Sequence, residues 1–300
     1  MDYIPEFLYN LLLEQYGNDL TNTIINGYSQ KRYVTLRANS LKNSIENIKN
    51  IFDSMGISYK DVSWYKDALI IKNVSEKQIK NLEIYKNGEI YLQSLSSMIP
   101  PIILSPKENE NILDMAAAPG GKTTQMLALS NNTSFITACE KNKIRAERLK
   151  YNIQKQGANR VNVMITDSRK LDDFFSFDKI LLDAPCSGSG TLNIYNKNLE
   201  KTFTEELINR SVKTQFELLE KAISLLKPGH EMIYSTCSIF FKENEQNIQK
   251  FLDMKKIEIV PIDTSIFSDA LLLPVSIKGT LCICPSDLYE GFFVAKLKKL

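Results

Sequence analysis

The first hundred residues switch between two hydrophobic periods. Phe7, Leu8, Leu11, Leu12 and Leu13 recur at the spacing of an amphipathic helix. A strand follows at Tyr33 to Leu36, then a helix ending near Met55-Gly56, where glycine supplies the left-handed stop. Strand-like runs at Ala68 to Ile71 and Glu89 to Leu92 flank a short helix near Lys77 to Asn81. Residues 1–98 therefore predict a small α/β domain.

From about Pro100 the pattern becomes a regular alternation. Apolar runs at Ile112 to Met115, Phe135 to Cys139, Val161 to Ile165, Lys179 to Asp183 and Met232 to Ser235 are separated by helical stretches. Short apolar strands joined by helical crossovers predict a mostly parallel sheet covered on both faces, over residues 99–300. IEIVPI and GFFVAKL have no long helix between them, so an antiparallel pair is expected to finish the sheet.

In such sheets ligands sit beyond the carboxyl ends of the strands. The first core strand runs into LDMAAAPGGKTTQMLAL, where Ala116, Ala117, Ala118, Gly120 and Gly121 keep bulk away from the backbone before a helix opens at about Lys122. Gly121-Lys122-Thr123 resembles the end of a phosphate-binding loop, but Ala116 occupies the first glycine position and Pro119 removes an N–H. Glu140, Asp167 and Asp183 crown the next three strands, and a carboxylate after the second strand commonly holds ribose hydroxyls. The fourth strand leads into LLDAPCSGSGTL and the fifth into YSTCS, so Cys186 and Cys237 overhang one cleft. Two thiols at equivalent positions beside a cofactor-type loop point to reactivity rather than packing.

Composition narrows the field without choosing a partner. Of 300 residues 43% are hydrophobic, enough for a sizeable core, and the net charge of +2 announces no polyanion. Positive charge concentrates from Lys141 to Arg160, which reads first as a solvated helix face. No membrane span or export segment is found, so the protein is expected to be cytoplasmic, without membrane or metal, and a monomer. The five cysteines lack a repeated C-x-x-C spacing. Cys282 and Cys284 alternate in TLCICP and read as packing. His230, the only histidine, falls at the start of the fifth strand, away from the ligand end, and Trp64 reads as partly buried.

Taken together, DMAAAPGGKT, Glu140, TDSRKL with Asp167, LDAPCSGSG, YSTCS with Cys237 and the terminal EGFFVAKL resemble the RsmB, RsmF and NSUN family of RNA cytosine-5 methyltransferases, in particular its RsmF-like rRNA branch. LRANSLK and YLQSLSSMIPP are weaker marks of the same family. The resemblance covers nearly the whole chain. It implies a Rossmann-like S-adenosylmethionine methyltransferase sheet with an antiparallel last strand, and a small N-terminal domain similar to an RNA-recognition fold. It also implies that Ala116, Ala117, Ala118, Pro119, Gly120, Gly121 and Lys122 wrap the cofactor, that Glu140 holds its ribose, that Asp167 lies near the adenine and that Asp183 lies near methyl transfer. Cys237 is then the nucleophile and Cys186 assists release, acting on a cytosine of rRNA or alternatively tRNA. Arg37 is expected on the RNA backbone. Two departures stand out: the chain stops right after EGFFVAKLKKL, where RsmF-like enzymes usually carry an extension, and His230 replaces a usual glycine.

Three rivals read differently. A DNA cytosine methyltransferase would use the Pro-Cys after the fourth strand, promoting Cys186. A non-catalytic RNA-binding relative would show a broken cofactor loop or a missing thiol. A small-molecule methyltransferase would need neither the N-terminal domain nor paired thiols.

Overall fold

A computed structural model describes residues 4–196 and 198–300. The chain opens with α1 (Glu6–Ser29), followed by β1 (Val34–Ala38), α2 (Ile45–Ser54), β2 (Tyr59–Asp61), β3 (Ala68–Ile71), α3 (Glu76–Asn81), α4 (Glu83–Lys86) and β4 (Ile90–Leu92). The four strands form an antiparallel sheet in the order β2-β3-β1-β4. Local chemistry sets the helix starts. The Ser44 hydroxyl accepts from Asn47 N–H at 3.1 Å, and Ser75 and Gln78 form a reciprocal capping box. Leu36, Ile48, Phe52, Leu69 and Ile90 fill a core of their own beneath this sheet.

Helix α1 belongs elsewhere. Its buried Leu8, Leu12, Ile24 and Tyr28 join the core of the large sheet, beside Ile180, Leu219 and Phe293. Burying each such side chain stabilises by about 1.5–3 kcal/mol, so the helix is bound to the second unit although it precedes the first in sequence. The junction at 98/99 likewise falls inside a continuous helix, α5 (Leu95–Leu104), capped by Ser94 and with Met98, Ile99 and Leu104 buried in the core on the other face of the large sheet.

The second unit contains β5 (Asn111–Asp114), α6 (Gly121–Leu129), β6 (Phe135–Cys139), α7 (Lys143–Gln156), β7 (Val161–Met164), β8 (Phe177–Asp183), α8 (Leu199–Thr202), α9 (Glu205–Leu225), β9 (Leu226–Thr236), α10 (Glu245–Asp253), β10 (Ile257–Ile259), β11 (Leu281–Ile283) and β12 (Phe292–Lys299). Its strand order is β10-β12-β9-β8-β5-β6-β7, with β11 also paired to β12. Strands β9-β8-β5-β6-β7 are parallel, and β12 lies antiparallel between β9 and β10. The strand order reverses between β5 and its neighbours, and that switch point is where the doubly wound architecture opens a crevice at the carboxyl ends. Among the described residues no helix is long and apolar enough to cross a membrane.

Candidate active site

Gly120, at φ +103, turns the chain from the alanine loop into α6, and a Cβ there would come within 2.9 Å of Leu149. The loop is thereby pressed between α7 and the sheet. On one side lies a cleft of about 420 Å³, counting its open mouth, that collects Ala116, Glu140 and Asp167. Glu140 is buried, with Oε1 accepting from Asn142 N–H at 2.8 Å and Oε2 3.4 Å from Arg145. Asp167 is gripped by Arg169 at 2.5 and 2.9 Å, and that guanidinium holds its carboxyl below the usual range. Two oriented carboxylates over a bulk-free loop suit a ribose and the groups around it.

On the other side a wider cleft, about 820 Å³ with its mouth, lies between the small sheet and the large one. Tyr91, Gln93 and Ser94 contribute from the small unit, and Lys122, Asp183, Cys237 and Glu290 from the large one. Lys122 does not turn toward Glu140. Its ammonium lies 2.7 Å from Asp183 Oδ2 and donates to Ser97 Oγ at 2.8 Å, while Ser235 donates to Asp183 Oδ1 at 2.8 Å. Burial disfavours the Lys122 charge, but Asp183 outweighs it and raises the pKa.

The two thiols meet in this cleft. Parallel pairing sets Asp183 opposite Ser235 in adjacent strands β8 and β9, and the loops that follow bring Cys186 Sγ and Cys237 Sγ to 3.1 Å. Cys186 is pushed well above an ordinary thiol by its hydrogen bond with Cys237, by burial and by the charge of Glu243. Lys122, by contrast, interacts electrostatically with Cys237. The remaining cysteines behave as packing: Cys139, Cys282 and Cys284 are buried, and burial pushes the Cys139 and Cys284 thiols up to about 12. His230 is half exposed, with its ring 3.0 Å from the Asp178 carbonyl, and Trp64 is partly buried and donates to Tyr289 Oη at 2.9 Å.

One expectation fails. Arg37 is fully buried and cannot lie on an RNA backbone. Its guanidinium donates to Gln93 Oε1 and Thr124 Oγ1, each at 2.9 Å, and sits 5.1 Å over the Tyr91 ring. It ties the small sheet to α6, directly behind the cofactor-type loop. In the basic run, Arg145 and Lys150 pair with Glu140 and Glu147, and Lys155 lies over the Tyr85 ring of the small unit at 3.9 Å.

Asp114, the last residue of β5, escaped the sequence reading although it opens the DMAAAPGG run. It is buried and accepts from Thr123 Oγ1 at 2.7 Å, and burial lifts its carboxyl from 3.8 to about 6. The folded state therefore holds this proton more tightly than the unfolded chain does. Stability from this group is present below pH 4 and is lost as pH rises through about 6, on the order of 3 kcal/mol. Chemical denaturation between pH 4 and 7 is expected to show that slope in wild type and a flatter one in Asp114→Asn; equal slopes would remove Asp114 as its source.

Residues 101–298 match the family described as 16S rRNA methyltransferase RsmB/F, and residues 4–76 match the ferredoxin-like domain of RsmF/B-like methyltransferases. The chain belongs to the RsmB/F methyltransferase family. Its members depend on S-adenosylmethionine. A ribosomal RNA small subunit methyltransferase F from Shewanella sp. (strain ANA-3) is 35% identical over 272 residues, 88% of this chain and 56% of that protein. The corresponding protein of Shewanella oneidensis is 36% identical over the same share of this chain. This RsmB/F chain thus spans little more than half the length of those curated relatives. A solved structure described as a methyltransferase homolog protein from Pyrococcus horikoshii superposes with a TM-score of 0.81 at 30% identity, over 99% of this chain and all of the other. The structure of PH0851 reaches a TM-score of 0.88 at 32% identity, covering 98% of this chain and 66% of that one.

Proposed function

We propose that this chain transfers a methyl group from S-adenosylmethionine to carbon 5 of a cytosine in RNA, through a covalent adduct on Cys237. Ribosomal RNA is the substrate class favoured by the curated relatives, with tRNA the alternative. The observation that carries the reading is the 3.1 Å approach of two thiols beside a Lys122–Asp183 pair, in a cleft shared with the small domain.

Carbon 5 of cytosine is a poor nucleophile until a thiolate adds at carbon 6 and turns the ring into an enamine. Bound S-adenosylmethionine supplies the electrophilic methyl group; Ala116, Glu140 and Asp167 form the cleft suited to its ribose and adenine side. Cys237 Sγ forms the bond to carbon 6, while the Lys122–Asp183 pair delivers a proton to ring nitrogen 3 and so neutralises the electron-rich adduct. After transfer, the hydrogen on carbon 5 leaves as a proton to solvent, the Sγ–carbon 6 bond breaks and returns the thiolate to Cys237, and ring nitrogen 3 gives its proton back to the Lys122–Asp183 pair. Cys186, next to Cys237, assists this second stage. Carbon 6 is reachable only when the base is unstacked, so the target is a loop nucleotide or one flipped outward.

Incubation of the chain with S-adenosylmethionine and unmodified RNA, followed by bisulfite sequencing, is expected to place 5-methylcytosine at a defined position. Methyl groups found only on DNA, or on another atom of the base, would sink the reading.

A further inference from the structure

Glu243 is fully buried, and every partner of its carboxylate among the described residues is a neutral donor. Its Oε1 accepts from Ser187 N–H at 2.7 Å and Gln215 Nε2 at 3.2 Å, and its Oε2 accepts from Ser187 Oγ at 2.5 Å and Ser238 Oγ at 2.6 Å. A buried carboxylate without a cation costs several kcal/mol unless donors satisfy it, and here four do. What matters is where they stand. Ser187 immediately follows Cys186, and Ser238 immediately follows Cys237. One carboxylate therefore ties together the loops that carry the two thiols.

The neighbouring contacts complete the frame. Gln215 Nε2 also donates to Pro185 O at 3.0 Å, so Cys186 is held on both sides, at Pro185 by Gln215 and at Ser187 by Glu243. Asn244 accepts from Thr236 Oγ1 at 2.6 Å and donates to Ser238 O at 2.9 Å, holding Cys237 in the same manner. Ser189 Oγ lies 2.8 Å from Ser238 Oγ, a further link between the two loops.

The charge also has a direction. Two thiols 3.1 Å apart cannot both ionise readily. The groups that face Cys186 are Cys237, Glu243 and the buried Tyr234, whereas Lys122, with Asp183 behind it, acts on Cys237. We propose that Glu243 is a positioning residue for the transfer: its carboxylate fixes the separation of the two thiols by holding the residues that follow them, and its charge makes the two thiols unequal by opposing a second charge at Cys186. The inference rests on the two-thiol reading above for its place in catalysis, while its chemistry can be read without any methyl transfer.

The test is iodoacetamide alkylation of the free protein across pH 6–10, with Cys186 and Cys237 peptides quantified by mass spectrometry in wild type, Glu243→Gln and Glu243→Ala. In Glu243→Gln the amide oxygen can still accept from Ser187 N–H, and the two serine hydroxyls can turn to accept from the amide nitrogen, so the frame survives and only the charge is lost. Wild type is expected to alkylate Cys237 first. In Glu243→Gln the reactivity of Cys186 at neutral pH rises roughly tenfold, because the charge that opposes its thiolate is gone. Glu243→Ala, if it folds, loses kcat for methylation more than Glu243→Gln does, at unchanged KM for RNA. Cys186 alkylation profiles that coincide in wild type and Glu243→Gln would overturn the proposal. If the profiles shift but wild type makes no 5-methylcytosine, the electrostatic role stands and the reading of the reaction falls instead.

Discussion

Cys237→Ala is expected to lose methyl transfer by on the order of 10⁴-fold or more, because without a bond at carbon 6 the ring never becomes nucleophilic at carbon 5. Cys186 cannot take over. It is only 3.1 Å away, yet burial and the charge of Glu243 still oppose its thiolate once Cys237 is gone. Among the described residues the removed thiol's hydrogen bond is to the Cys186 thiol and not to the backbone, so KM for RNA is expected to stay within a few fold. Single-turnover methylation with labelled cofactor measures both quantities. A variant retaining a tenth of wild-type rate would remove Cys237 from the role of nucleophile.

Asp183→Asn is expected to cost roughly 10²–10³-fold in kcat, the usual loss when one preorganised group is taken from the place where charge develops. Asparagine preserves size and can still accept from Ser235, but it ends the 2.7 Å ion pair that holds the Lys122 ammonium in the cleft. The Lys122–Asp183 pair then no longer supplies the proton for ring nitrogen 3. The deficit should be in kcat with little change in KM for the cofactor, since the cleft proposed for its ribose and adenine is lined by Glu140 and Asp167 rather than Asp183. A mutant with normal kcat and a raised cofactor KM would show instead that Asp183 binds rather than catalyses.

The parallel strands were legible because runs such as KILLD and MIYS are buried on both faces of a sheet and carry no polar alternation. The strand ends were legible for the same reason, and with them the candidate site: Glu140, Asp167, Asp183, Cys186 and Cys237 all fall where a strand stops. Tertiary partnership was not. The apolar stripe of α1 says that one face is buried, not against which sheet, and it joins the core of the large one. Arg37 misled because a charged residue in LRANSLK reads as solvent-facing, whereas here Gln93, Thr124 and the Tyr91 ring replace water around it. The ion pair of Lys122 with Asp183 was not legible either, because the two residues are brought together by the pairing of β5 with β8, which are far apart in sequence. Glu243 was hidden most completely. KENEQN looks like an exposed charged turn, and only the folded chain shows its donors arriving from the loops after β8 and β9 and from α9.

The central claim is that RNA becomes covalently attached to Cys237 and that Cys186 lets it go. Its most direct measurement is a denaturing gel of labelled substrate RNA incubated with S-adenosylmethionine and either Cys186→Ala, Cys237→Ala or the double variant. A slow-migrating protein–RNA band is expected with Cys186→Ala alone, dependent on the cofactor and absent from both proteins that lack Cys237. A band that persists in Cys237→Ala, or that requires Cys186, would contradict it.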